Sequence, residues 1–220
     1  MAEAPSERTR VRRHSERGVY DPAAIAAIVD EAPICHVGFV VAGQPFVLPT
    51  SHGRLGDVVY LHGAVASTML RSLSQSLPVC VTFTLLDGVV LARSIYNHSM
   101  NYRSAVVVGH AVDVRGREEK LRALKAIADH VLPGRWQDAR APSEAELKAT
   151  RVLRLSLVEA SAKVRGGAPI DDPEDMDLPV WAGVLPTRLC VDEPVPAPEM
   201  APGAPVPDYV RARVSGSGPA

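Results

Sequence analysis

Between Ile34 and Val114 the chain carries short, largely apolar runs set apart by turns and connecting segments. The runs read ICHVGFVV (34–41), PFVLPTSHG (45–53), DVVYLHG (57–63), VCVTFTLLDG (79–88), VVLARSIYN (89–97) and RSAVVVGHAVDV (103–114). Short runs rich in Val, Thr, Phe and Tyr and set apart by turns read as strands. AGQ (42–44) turns the first hairpin, and Asp87-Gly88 is expected to turn another. RVLRLSLVEASAKVR (151–165) alternates apolar and polar residues, sending alternate side chains to opposite faces, and is expected to be the last barrel strand. Six or seven strands at hairpin spacing imply a mainly β fold, an antiparallel barrel with accessory helices.

The helices are expected in the connections. Asp21 N-caps one, with Pro22 in its first turn, Ile25, Ile28 and Val29 on its apolar side, and Pro33 ending it. A second is expected from about Val65 to Ser76. REEKLRALKAIADHVL (117–132) forms a third, with Leu121, Leu124, Ile127 and Val131 on one face. The 220 residues suit one domain with appended ends. These are a flexible arm over 1–19, the domain over 20–187, and a Pro-rich acidic tail over 188–220 expected to be extended or disordered.

A formal net charge of −1 gives no basic footprint for nucleic acid. No apolar run reaches the roughly 20 residues that span a bilayer. The polar start MAEAPSERTRVRRHSERG lacks a hydrophobic signal segment, so a cytoplasmic protein is expected. Cys35, Cys80 and Cys190 are odd in number and widely spaced, which argues against a disulfide framework. His36, His52, His62, His98 and His110 lie in or beside strands without HxH or HxxxH spacing, and the AGQ turn is expected to make His36 and His52 cross-strand neighbours. No metal site is expected from them, and a single histidine facing a pocket is the better reading.

Two stretches carry potential chemistry. In YLHGAVASTMLRSL (60–73) a strand ends at His62-Gly63 and a helix opens near Ser67 and Thr68, offering free N–H groups to an anion, with Arg71 one turn on. The alternative is an ordinary strand–helix junction with a hydroxyl cap. In NHSMNYRSAVVVGHA (97–111), His98, Asn101, Tyr102, Arg103 and Ser104 gather at a bend before an apolar strand, either as pocket lining or as a solvated loop. There is no GxSxG elbow and no GxGxxG loop.

PTSHGRLGDVVYLHGAVASTMLRSL, PVCVTFTLLDGVVLARS, HSMNYRSAVVVGHA and VWAGVLP, in that order, resemble the flavin-nucleotide-binding proteins related to pyridoxamine 5'-phosphate oxidase, in the branch that includes the nitroimidazole-resistance proteins. The resemblance covers roughly residues 18 to 187. It implies an FMN-binding split β-barrel that forms a homodimer, with two FMN sites between the subunits. It assigns Pro49, Thr50, Ser51, His62, Gly63, Ser67 and Arg71 to the ribityl phosphate, Asn101, Tyr102, Arg103 and Ser104 to the isoalloxazine, and Trp181 to a position close to the ring. Thr68 stands where relatives often carry a basic residue, which leaves more of the charge to Arg71 and the helix end. The resemblance also makes His62 the catalytic candidate.

The expected function is an FMN-dependent oxidoreductase acting on a small, electron-poor organic molecule, possible substrates including nitro-aromatics. Without a dinucleotide fingerprint, a nicotinamide donor would bind transiently over the flavin. The alternative is a non-catalytic flavin or haem binder or sensor, with His62 or His98 as axial ligand. Pyridoxamine phosphate oxidation is disfavoured, because no basic set remains for a second phosphate.

Overall fold

Asp21 accepts the Ala24 N–H at 2.8 Å and Pro22 fills the first turn, so α1 (Pro22–Glu31) starts where its cap dictates. The computed structural model describes residues 3–201 and 203–214. Before α1 lies a two-residue strand, β1 (Gly18–Val19). After it, β2 (Cys35–Val41) and β3 (Gln44–Thr50) form a hairpin whose turn residues Ala42 and Gly43 both have positive φ. β4 (His52–Leu55) pairs with β5 (Val58–Ala64), and α2 (Thr68–Leu73) leads into the long strands β6 (Pro78–Leu91) and β7 (Ser99–His110). Then come β8 (Val112–Asp113), α3 (Arg117–Val131), α4 (Arg135–Asp138), α5 (Glu144–Ala149), β9 (Thr150–Ser156), β10 (Ala160–Arg165), β11 (Gly183–Pro186) and α6 (Asp208–Arg211).

The strands form two antiparallel sheets, a split β-barrel. The larger runs β1-β10-β7-β6-β2-β3 with β11 added on β6, and the smaller runs β4-β5-β9-β8. The chain crosses between them at Ser51, through residues 65–77 that hold α2, at Ala111 and at residues 157–159. Phe83, Leu61, Leu70, Leu73 and Leu153 are fully buried in the main core, each contributing roughly 1.5–3 kcal/mol over an exposed position. A second cluster joins Tyr60 and Val152 to Val114, Ala123 and Ile127 under α3. A Cβ on Gly53 would sit 2.5 Å from the Ile127 nitrogen, so only glycine lets α3 lie on β4.

Four local expectations are corrected. Asp87-Gly88 is not a hairpin turn: β6 is continuous from Pro78 to Leu91 and pairs with β7 through a bulge there. Gly88 does not take positive φ, and β11 packs where its side chain would be, with Val184 Cγ1 at 3.0 Å from a built Cβ. The segment 151–165 is two strands in different sheets, because its alternation restarts after the turn at residues 157–159. α2 has only six residues, starting at the Ser67 cap. His36 faces Pro49, and His52 faces Leu61, so the two are not cross-strand neighbours.

The ends also make contacts. The Ser6 hydroxyl donates to Glu159 at 2.5 Å, and the Val11 N–H donates to the Tyr20 hydroxyl at 2.8 Å. Residues 187–201 and 203–207 hold no helix or strand, and α6 then packs the Tyr209 ring over Gly134. Among the described residues no helix is long and apolar enough to cross a membrane.

Candidate functional site

β5 sends Leu61 into the main core, so its neighbours Tyr60 and His62 point toward α3. His62 thereby lines a cavity of about 520 Å³ together with Ser51 from the crossing between the sheets. Leu124, Ile127, Ala128, Val131 and Leu132 of the α3 region make an apolar wall, and Trp136 on α4 supplies an aromatic one. The His62 imidazole makes no hydrogen bond among the described residues, and its Nδ1 is fully buried. Burial lowers its pKa from the usual histidine value, so the ring is neutral near pH 7. An apolar cavity with one neutral, unpartnered imidazole suits a ligand that can accept a nitrogen lone pair or donate a hydrogen bond.

The polar rim is formed by Arg135, Arg140 and Glu146. Arg140 is engaged: its guanidinium forks onto Glu146 at 2.6 and 3.0 Å and also reaches the Ala141 carbonyl. Glu146 in turn accepts the Ser143 N–H in the capping box that starts α5. The Arg140 guanidinium and these bonds hold the Glu146 carboxyl down at about 2. Arg135 differs, since among the described residues its guanidinium is bonded only through Nη1, to the Tyr209 hydroxyl at 3.0 Å and to Asp138 at 3.3 Å.

The residues singled out in sequence divide into three groups. Ser51 and His62 meet in the cavity, and Gly63, Ser67 and Arg71 follow directly along the chain. The Ser67 hydroxyl accepts the Leu70 N–H at 3.4 Å as cap of α2, and Gly63 makes room for Leu70, whose Cδ1 would be 2.9 Å from an added Cβ. Arg71 is exposed and forms no ion pair among the described residues. Pro49 and Thr50 sit on β3 opposite His36 and Cys35.

The second group holds the sheet together. Asn101 is buried, accepts from Arg165 and donates to the Gly167 carbonyl at 3.0 Å. Arg103 clamps Glu31, at the end of α1, to Asp87, in the β6 bulge, and both carboxylates raise its pKa further above the usual arginine value. The Ser104 hydroxyl donates to the Lys163 carbonyl at 3.3 Å, while Tyr102 lies opposite Leu86 and Arg165. Last, Trp181 is 63% exposed, its ring resting over Gly183.

Sequence reading missed the α3–α5 wall. PGRWQDAR (133–140) contains Arg135, Trp136 and Arg140, an unusual density of large side chains in a loop-like stretch. That density was the available signal, but only the fold brings it opposite His62. Among the described residues, no group of three His, Cys, Asp or Glu stands where it could hold a metal ion.

A family model described as pyridoxamine 5'-phosphate oxidase matches residues 21–164. Among solved structures, the flavocytochrome Anf3 from Azotobacter vinelandii is 42% identical, with 96% of this chain and 99% of that chain covered at a TM-score of 0.91. A FAD and haem binding protein from Mycobacterium smegmatis is 35% identical, with 90% and 97% covered at a TM-score of 0.86. A protein from Bacteroides thetaiotaomicron, described as concerned with 5-nitroimidazole antibiotic resistance, is 28% identical, with 67% and 86% covered at a TM-score of 0.56. No curated protein matches the sequence.

Proposed function

The chain belongs to the pyridoxamine 5'-phosphate oxidase family, and from this we propose that it is a redox protein that binds a flavin nucleotide and a haem. The observation that carries the haem part is His62, a neutral imidazole without a partner among the described residues, lining an apolar cavity of about 520 Å³. The likeness to a flavocytochrome and to a FAD and haem binding protein, over nine-tenths or more of this chain, supports the same reading.

His62 would ligate the haem iron, with Leu124, Ile127, Val131 and Trp136 against the macrocycle. Thr50, Ser51, Ser67 and the exposed Arg71 would hold the flavin phosphate, and Tyr102 and Trp181 would flank its ring. Asn101, Arg103 and Ser104 support that site by fixing β7 rather than by direct contact, because their polar groups are engaged within the chain. A flavin supplies hydride and single-electron chemistry, and a haem one-electron and dioxygen chemistry. The protein's part is to keep His62 unprotonated and to exclude water from the apolar wall. A nicotinamide or another reductant would feed the flavin, and the acceptor would be dioxygen or a small electron-poor molecule such as a nitro-aromatic.

The assembly we propose is a homodimer. Among the described residues β3 pairs on one side only, with β2, and it exposes Phe46, Val47 and Leu48. A second copy would cover that edge together with Trp181.

The test is an absorbance titration of the purified chain with FMN, FAD and haemin. The expected result is saturable binding of one flavin and one haemin per chain, with a shifted Soret band. A chain that takes up neither contradicts the reading.

A further inference from the structure

α6 sits at the rim of the cavity, more than 70 residues along the chain from the wall it touches. The Tyr209 hydroxyl donates to Asp138 at 2.6 Å and accepts from Arg135 Nη1 at 3.0 Å. Its ring lies on Gly134, with ring carbons 3.1–3.5 Å from where a Cβ would be. Gly134 has φ of 91°, so both its conformation and the approach of the ring call for glycine. Tail and α4 are therefore fitted to one another.

The consequence falls on Arg135. A guanidinium has five N–H donors in a rigid fork. Nη1 is bonded to Tyr209 and Asp138, whereas Nε and Nη2 have no partner among the described residues. The other rim arginine, Arg140, has both terminal nitrogens on Glu146. The Tyr209 hydroxyl makes the shorter bond to Asp138, 2.6 Å against 3.3 Å from Arg135, so it takes up part of the carboxylate that would otherwise draw in the whole guanidinium. Arg135 is left held at one end, with its other edge available to an anion at the cavity rim.

We propose that Tyr209 is a positioning residue for this cavity, holding Arg135 so that its unoccupied edge pairs with a carboxylate of the bound ligand. The inference rests on the haem reading above, since a haem in the cavity would present two carboxylates while its macrocycle meets the apolar wall.

The test compares haemin with haemin dimethyl ester, which has the same ring but no free acid, in Soret titrations of the full chain. Tyr209→Phe keeps the ring on Gly134 and removes only the hydroxyl. It should weaken haemin by roughly 3–10-fold, the scale of one hydrogen bond, and leave the ester unchanged. Arg135→Gln should show the same selective loss, and adding Tyr209→Phe to it should change nothing more. Tyr209→Phe that leaves haemin affinity intact, or weakens both ligands equally, overturns the positioning role while the haem reading stands. An unaltered chain that binds neither ligand overturns both.

Discussion

The imidazole of His130, on α3, lies 4.1 Å from that of His52, on β4, measured between ring centres, and both rings reach the end of α1. His52 Nε2 is 2.8 Å from the Val29 carbonyl and His130 Nε2 is 2.9 Å from the Ala32 carbonyl. Two imidazole N–H groups thus satisfy carbonyls that a helix end leaves without intrahelical partners. His52 is fully buried, meets Phe83 edge to face with ring centres 4.8 Å apart, and its Nδ1 has no partner among the described residues.

That arrangement predicts acid lability. Burial pushes the His52 pKa from 6.5 down to about 4, with the neighbouring His130 acting in the same direction. The unfolded chain then binds the extra proton first, so stability is full above pH 6.5 and is lost as the pH falls toward 4. The shift corresponds to about 3 kcal/mol across that window. Urea unfolding at several pH values should show this slope, and His52→Gln should flatten it. An equal slope in the variant would exclude His52 as the origin.

Gly53→Ala should be strongly destabilising, because the new Cβ would meet the α3 backbone at 2.5–2.8 Å from Ile127 and Ala126. We expect a loss of about 3 kcal/mol or more, or failure to fold. Gly43→Ala is the control: nothing lies within 4 Å, so only the strain of its positive φ remains, about 1 kcal/mol. Comparable losses for both in thermal unfolding would contradict this packing of α3 on β4.

Asp171 anchors the segment that leads to Trp181. Its nearly buried carboxylate accepts the Arg93 backbone N–H at 2.6 Å and the guanidinium at 2.7 Å. Asp171→Ala leaves the arginine without that partner, and we expect a loss of about 3 kcal/mol. The same variant should weaken flavin binding through the displaced Trp181. Unchanged stability and unchanged flavin affinity would remove Asp171 from the account.

The dimer is tested at Val47, which is 66% exposed on the open edge of β3. Val47→Glu should yield a monomer by light scattering while unfolding changes by less than about 0.5 kcal/mol within one subunit. An unaltered chain that is already a monomer contradicts the proposed interface.

Much of this architecture was legible in sequence because it is local. The apolar runs marked where strands lie, and Asp21-Pro22 gave the start of α1 to the residue. What stayed hidden depends on contacts distant in sequence. Gly88 looks like a turn residue until β11 is seen packed against it, and 151–165 looks like one strand until its halves join different sheets. The site follows the same division. His62 could be singled out from the strand–Gly junction, whereas Arg135, Trp136 and Tyr209 gain their positions only from how α3, α4 and α6 pack. Asn101 and Arg103 were conspicuous as polar residues beside an apolar strand, yet their own chain supplies their partners.

The most direct test of the central claim is His62→Ala in the full chain, titrated in parallel with haemin and with FMN and followed by absorbance. Removing the ligand from an otherwise intact cavity should weaken haemin by roughly 100-fold or more and abolish the shifted Soret band. Flavin affinity should stay within about twofold, since the phosphate groups assigned to Thr50, Ser51, Ser67 and Arg71 are untouched. A variant that keeps both the Soret band and the haemin affinity of the unaltered chain would contradict the assignment of His62 and of the cavity it lines.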